Sequence, residues 1–282
     1  LGELLTPSAV GYGDDGALVA WRESADPAHA AIDLMLALTP VRVHDLFGNS
    51  TTVRPIEQTR AGLVARRHHI PLTDMPVFIE GIDVSLARLQ SSFRIEPGLL
   101  EARGTPRDLE LILTNPWPTT MAGRAVIVEP GGSGADGARD RSWRIEPRTF
   151  DFEAAPGQEA RMPLSVLMRE FEEAGPKRWV IDLRLAGRED LGWITVSAPL
   201  VVGLEGIDVR ISTRVVGPDL SVEITITNTR DTPALLDATV FAPTYPRERR
   251  SIGEVLPRTQ VTRRFFYEDG AVRLSAQSIV AS

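Results

Sequence analysis

The amino-acid sequence predicts an all-β protein: tandem β-sandwiches of immunoglobulin-like type, with little helix. Three observations point there. Short runs rich in Val, Ile, Thr and aromatic residues alternate apolar with polar side chains, the pattern of half-buried strands. The 21 prolines and 23 glycines are scattered along the whole chain, which breaks it into strand-sized pieces. Finally, the chain repeats itself: Thr114-Asn115 at the end of one such run returns, 113 residues later, as Thr227-Asn228.

Taken in order, residues 1–79 read as a small β-sandwich of their own. GALVAWRES (16–24) and AIDLMLALT (31–39) look like two strands, VRVHDLF (41–47) a third and STTVRP (50–55) a fourth, with HIPLTDMPVFIEG (69–81) closing the unit. In VRVHDLFGN the period of two sets Val41, Val43, Asp45 and Phe47 on one face, with Arg42, His44 and Leu46 on the other. His44 and Asp45 are therefore not a catalytic dyad, and Gly48-Asn49 reads as a tight hairpin turn. Two stretches look helical, Ile56 to Arg67 and Val166 to Gly175, where Leu164, Leu167, Met168 and Phe171 recur at helical spacing.

Residues 80–204 and 205–282 are two related units. Glu80-Gly81-Ile82-Asp83-Val84 opens the first and Glu205-Gly206-Ile207-Asp208-Val209 the second. DLELILTN and LSVEITITN follow, then a turn and a second strand ending at Pro130 and Pro243, still 113 residues apart. Beyond that point Pro156 answers Pro257 at a shift of 101, and the loss matches the segment GGSGADGARDRS (131–142), read as an inserted surface loop. Nothing in the second unit answers GWITVSAPLVV, so it is expected to lack its last strand. That, with a start at Leu1, suggests an excerpt of a longer polypeptide.

Composition narrows the functions. A formal net charge of −7 and a single lysine, Lys177, argue against nucleic acid as a partner, because phosphate binding draws on clustered cations. The one basic patch, Arg60 to His69, reads as a solvated helix end or loop rather than an anion site. No apolar run is long enough for a spanning helix, so no membrane span is expected. Cysteine is absent, which removes thiolate ligands and thiol nucleophiles. His68 and His69 are adjacent while His29 and His44 are remote, so no metal site is assigned. Asp14-Asp15-Gly16 and Asp136-Gly137 with Asp140 offer oxygens to a calcium ion, but plain turn chemistry is the better reading. No cofactor is implied.

Glycoside hydrolysis needs two carboxylates about 5 to 10 Å apart in a cleft. Asp151 with Glu153, or Glu170, Glu172 and Glu173, supply the residue type without a barrel-strand setting, so no catalytic residue is assigned. Sugar binding needs exposed aromatic faces. Trp117, in the Pro-bracketed turn NPWPTT, and Trp143, beside the inserted loop, are the candidates; packing over the sandwich edge is the favoured reading of Trp117, and Trp21, Trp179 and Trp193 are read as core.

An apolar strand ending in Trp (LVAW), then V-x-V-x-D-L-F-G-N, then LTDMPVFIEG, resembles the C-terminal β-sandwich appended to the catalytic (β/α)8 barrel of many bacterial retaining glycoside hydrolases. The resemblance covers Ala17 to Gly81; His44 departs from it, standing where that pattern more often has an aromatic. The repeated units are similar to the immunoglobulin-like modules associated with bacterial α-galactosidases and other exported glycan-active proteins, on the strength of the L-x-L-x-x-T-N strand end, its Pro turn and A-x-V-x-x-P. What these resemblances imply is a non-catalytic accessory or spacer region of an exported or cell-surface carbohydrate-active protein. Its partners would be the catalytic domain of the same polypeptide and a polysaccharide. The alternatives are a cell-surface adhesion or scaffold protein, or a carbohydrate-binding module.

Overall fold

The computed structural model describes residues 16–22, 31–60, 63–101, 104–130, 143–168, 172, 174–242, 245–246, 248–274 and 280–281. The fold is all-β and immunoglobulin-like: strands in several mostly antiparallel sheets, with only two short α-helices among the described residues. The loops around Asp14 and Asp136 lie outside the described residues.

The first seven strands are β1 (Leu18–Ala20), β2 (Ala31–Leu34), β3 (Val41–His44), β4 (Ser50–Val53), β5 (Ile56–Arg60), β6 (Leu63–Pro71) and β7 (Val77–Glu80). They form two sheets, ordered β1-β7-β3-β4 and β2-β6-β5. Leu18, Val41 and Ile79 from the first sheet and Ile32 and Ile70 from the second share one buried cluster with Leu36 and Leu72. The stretch Ile56 to Arg67, expected to be helical, is instead the β5–β6 hairpin, paired from Ile56↔Arg67 to Arg60↔Leu63. Burial explains why: His68 and Ile70 are buried while Arg67 and His69 are exposed, a period of two that β6 satisfies by pairing with β2 as well.

Between β2 and β3 the chain runs through the interior, with Met35, Leu36 and Ala37 buried. Backbone polar groups taken out of water need partners, and side chains supply them. Gln90 accepts at Oε1 from the Met35 N–H (3.1 Å) and donates from Nε2 to the Met35 carbonyl (2.7 Å). His68 accepts at Nδ1 from the Leu36 N–H (3.3 Å) and donates from Nε2 to the Thr39 carbonyl (3.1 Å), which fixes it as the neutral Nε2–H tautomer. Asp83 N donates to the Leu36 carbonyl at 2.7 Å.

Helix α1 (Val84–Ser92) was not foreseen in the sequence. Asp83 is its N-cap, accepting from Leu86 N at 2.9 Å, and Leu86, Ala87, Leu89 and Gln90 form its buried stripe. Next come β8 (Arg94–Glu96), β9 (Leu99–Leu100), β10 (Arg107–Thr114), β11 (Met121–Glu129), β12 (Trp143–Glu146), β13 (Thr149–Ala154), β14 (Glu159–Met168), β15 (Gly175–Leu185) and β16 (Ile194–Val202). Their sheets are ordered β12-β14-β10-β8 and β13-β11-β15-β16-β9. At the ends of the second expected helix Val166 to Met168 instead close β14, whose alternate residues are buried, and Gly175 begins β15, while 169–171 and 173 lie outside the described residues.

The second repeat comprises β17 (Ile207–Val216), β18 (Asp219–Asn228), β19 (Ala234–Phe241), β20 (Glu248–Val255), β21 (Gln260–Tyr267), α2 (Gly270–Arg273) and β22 (Val280–Ala281). Its sheets are β17-β18-β21 and β20-β19-β22, over a core of Val222, Ile224, Val240, Val255 and Phe265. β22 pairs with β19 through Val240↔Ala281, as β15 pairs with β11 through Ile127↔Ile181. The described residues fall into two compact units, one of residues 1–96, 108–166 and 178–199, the other of 97–107, 167–177 and 200–282. The small N-terminal sandwich and most of the first repeat thus share a unit.

Candidate functional site

The VRVHDLFGN hairpin is held by its own aspartate. Asp45 Oδ1 accepts from the N–H groups of Phe47 (2.8 Å) and Asn49 (2.9 Å), and Asn49 Nδ2 donates to Asp45 Oδ2 at 2.7 Å. Those donors, the Asn49 side chain foremost, hold the Asp45 carboxyl below its ordinary range. Gly48 supplies the positive φ of 85° that the turn requires. Because the strand ends at His44, Phe47 leaves the alternation expected of it and is 81% exposed. His44 does not meet Asp45; its Nε2 lies 3.1 Å from Glu80 Oε2 on the neighbouring β7. Sequence reasoning could not see that partner, since it depends on the register Arg42↔Glu80.

Beside that pair lies an open groove of about 310 Å³ lined by Pro40, Val41, Arg42, Thr52, Glu80 and Gly81. One cation and one carboxylate at its walls can hydrogen-bond a polar group. Among the described residues no three His, Asp or Glu side chains cluster to hold a metal.

The two tryptophans proposed for sugar contact are not brought together. Trp143 is a correction: it is buried, and meets the fully buried Trp179 edge-on with ring centroids 6.0 Å apart, so core packing occupies the surface a sugar would need. Trp117 is partly exposed, with the Arg188 guanidinium 5.8 Å from its ring centre. Trp21 and Trp193, read as core, are only partly buried. Asp151 and Glu153 both point outward from β13, where Asp151 takes a 2.8 Å bond from Arg124 Nε that holds its carboxyl low. Glu172 pairs with Lys177 at 3.1 Å, while Glu170 and Glu173 lie outside the described residues.

What the repeat does place with care is an asparagine in each copy. Asn115 is buried; its Nδ2 donates to the carbonyls of Thr119 (2.8 Å) and Ala154 (2.9 Å), and its Oδ1 accepts from Trp117 N (2.9 Å). Asn228, also buried, donates to Thr232 O (2.9 Å) and Val255 O (2.9 Å) and accepts from Arg230 N (3.0 Å). Each partner in one copy matches its counterpart in the other by the shifts of 113 and 101 residues read from the sequence. Trp117 and Arg230 are therefore equivalent positions beside the same staple. In the second copy Arg230 Nε bonds the Glu205 carbonyl, which closes the turn against the start of the repeat.

The two copies also diverge at their first strand. In β18 alternate residues Leu220, Val222, Ile224 and Ile226 are buried, but β17 beside it is exposed from Asp208 to Val216. β8, at the same place in the first copy, is only three residues long and keeps Ile95 buried.

No protein-family model matches the chain, and no curated protein does. Solved structures with related backbones include a red sea bream transglutaminase, 15% identical over 64% of this chain and 27% of that one, with a TM-score of 0.29. The E. coli chaperone DraB is 10% identical over 63% of this chain and 96% of its own (TM-score 0.26), and the Pseudomonas aeruginosa CupB2 chaperone 9% over 62% and 98% (TM-score 0.25). The chain thus spans about a quarter of the transglutaminase's length. At this level of overlap none of these likenesses bears on what the chain does. Among the described residues no helix is long and apolar enough to cross a membrane.

Proposed function

We propose that these residues are a non-catalytic accessory region of a larger carbohydrate-active protein, in which the N-terminal sandwich buttresses a catalytic barrel and the two repeats act as spacer and interaction platform. The observation that carries this reading is the DLFGN hairpin with Val77–Glu80 beside it, on which the resemblance to barrel-appended sandwiches rests. Support comes from how the N-terminal sandwich meets the first repeat. Trp193 N donates to Val64 O at 3.1 Å, Arg66 Nη1 donates to Asp190 O at 3.0 Å, and Gln90 reaches Met35. A backbone bond together with the buried Gln90 contact suits a stiff mount rather than a swinging linker.

The test uses the parent polypeptide with and without residues 17–282. The reading expects turnover of a small aryl glycoside to be kept and the thermal midpoint of the catalytic domain to fall when the region is removed. A parent gene that encodes no barrel on the N-terminal side of Leu1 would remove the case, and would leave the adhesion or scaffold reading to be tested by pull-down.

A further inference from the structure

We propose that the chain forms a two-fold symmetric dimer in which β17 pairs antiparallel with β17 of a second copy, Ile211 lying on the axis. The first observation is the edge itself. β17 is ten residues long, contains no proline, pairs among the described residues on one side only, with β18, and is exposed over nearly its whole length. Proteins blunt such edges, since a row of unpaired N–H and C=O groups templates another strand. At that edge the first copy has only a three-residue strand, followed by Pro97.

The second observation is self-complementarity, which fixes the occupant and the register. In β17 the side chains Ile207, Val209, Ile211, Thr213 and Val215 share one face, and Asp208, Arg210, Ser212 and Arg214 the other. An isologous contact must match this pattern to itself reversed. With Ile211 opposite Ile211, Asp208 of each copy faces Arg214 of the other, Arg210 faces Ser212, and Val209 faces Thr213. Two opposite-charge pairs result, with no like-charge pair. Moving the axis to Ser212 sets Arg210 against Arg214, and moving it to Arg210 sets that arginine against itself. Centring on Val209 or Thr213 pairs only five or seven residues, against nine, and forfeits both Asp208–Arg214 pairs. A long pairing without charge conflict therefore selects Ile211.

Sedimentation velocity on the 282-residue chain over rising concentration tests this. The wild type is expected to dimerise, more weakly at high salt. Arg214→Asp, which sets carboxylate against carboxylate twice, is expected to raise the dissociation constant about tenfold or more. The swap Asp208→Arg with Arg214→Asp restores both pairs and is expected to restore the dimer. Both side chains are exposed, and an unchanged thermal midpoint verifies folding. Because the chain has no cysteine, Ile211→Cys offers a second readout. Directly opposed residues suit disulfide geometry, so oxidation is expected to link two copies, whereas Val209→Cys, its two thiols displaced by about 13 Å along the strand, is not. A chain that stays monomeric throughout, a dimer indifferent to Arg214→Asp, or equal cross-linking through both cysteines would overturn the proposal.

Discussion

Asn228→Asp is the most informative single substitution in the fold, because it keeps shape and reverses hydrogen-bonding polarity. The amide nitrogen donates to Thr232 O and Val255 O, both at 2.9 Å, from a fully buried position. A carboxylate there has no proton to donate, so an anion would face two carbonyl oxygens. Two lost hydrogen bonds cost about 2 kcal/mol, and the unpaired Val255 carbonyl and buried charge bring the expected penalty to about 4 kcal/mol or more. That is a large share of the roughly 5–15 kcal/mol by which domains are stable. Protonating the carboxyl returns one donor. Its folded pKa is therefore raised, and the gap between variant and wild type narrows as pH falls through it. Urea unfolding separates the copies. All five tryptophans belong to the first unit, so their fluorescence follows that unit while far-ultraviolet dichroism follows both. Asn228→Asp is expected to shift the dichroism transition and spare the fluorescence one, and Asn115→Asp to move the fluorescence. A loss below about 1 kcal/mol, or a fluorescence transition moved equally by Asn228→Asp, would refute the staple.

Gly157 (φ 70°) and Arg258 (φ 58°) occupy the same turn of the two repeats, 101 residues apart. Nothing crowds Gly157, so Gly157→Ala is expected to cost about 1 kcal/mol through backbone conformation alone, measured by urea midpoint. Burial lowers the His68 pKa below its ordinary value of 6.5. The unfolded chain then takes up the proton first, so stability is full above about pH 6.5 and drains as pH falls toward the folded pKa. His68→Gln should flatten that part of the urea-midpoint profile. Tyr267, its hydroxyl buried without a partner among the described residues, is pushed up to about 12 by burial and by nearby Glu248. Stability is then lost from about pH 10 upward toward 12, and Tyr267→Phe should abolish that loss while being neutral or stabilising by about 1 kcal/mol at pH 7.

The sandwich repeats were legible because strands announce themselves locally: β10, β11, β15, β16, β17 and β18 all fall on alternating runs. The shifts of 113 and 101 residues survive as matched hydrogen bonds around Asn115 and Asn228. What failed was the reading of identical short strings. Glu-Gly-Ile-Asp-Val leads into α1 in one copy and into β17 in the other. The residues that follow decide: behind the Asp83 N-cap SLARLQSS supplies a helical stripe, whereas RISTRVV is β-branched and alternating. The β5–β6 hairpin was missed for the opposite reason, as its local pattern suits a helix until β2 pairs with it. Trp143 looked exposed by sequence neighbourhood, but a strand residue beside a loop is turned inward or outward by register alone. The exposed edge of β17 is a property of sheet order, and no local signal carries it.

These observations converge on a chain whose core is packed sheet against sheet, and many of whose surface carboxylates, Asp151 among them, are engaged by arginines on strand faces. Turnover by the isolated chain tests that account most directly. Incubated with a panel of aryl glycosides, it is expected to release no aglycone above buffer. Saturable release abolished by Asp151→Asn or Glu153→Gln would contradict it.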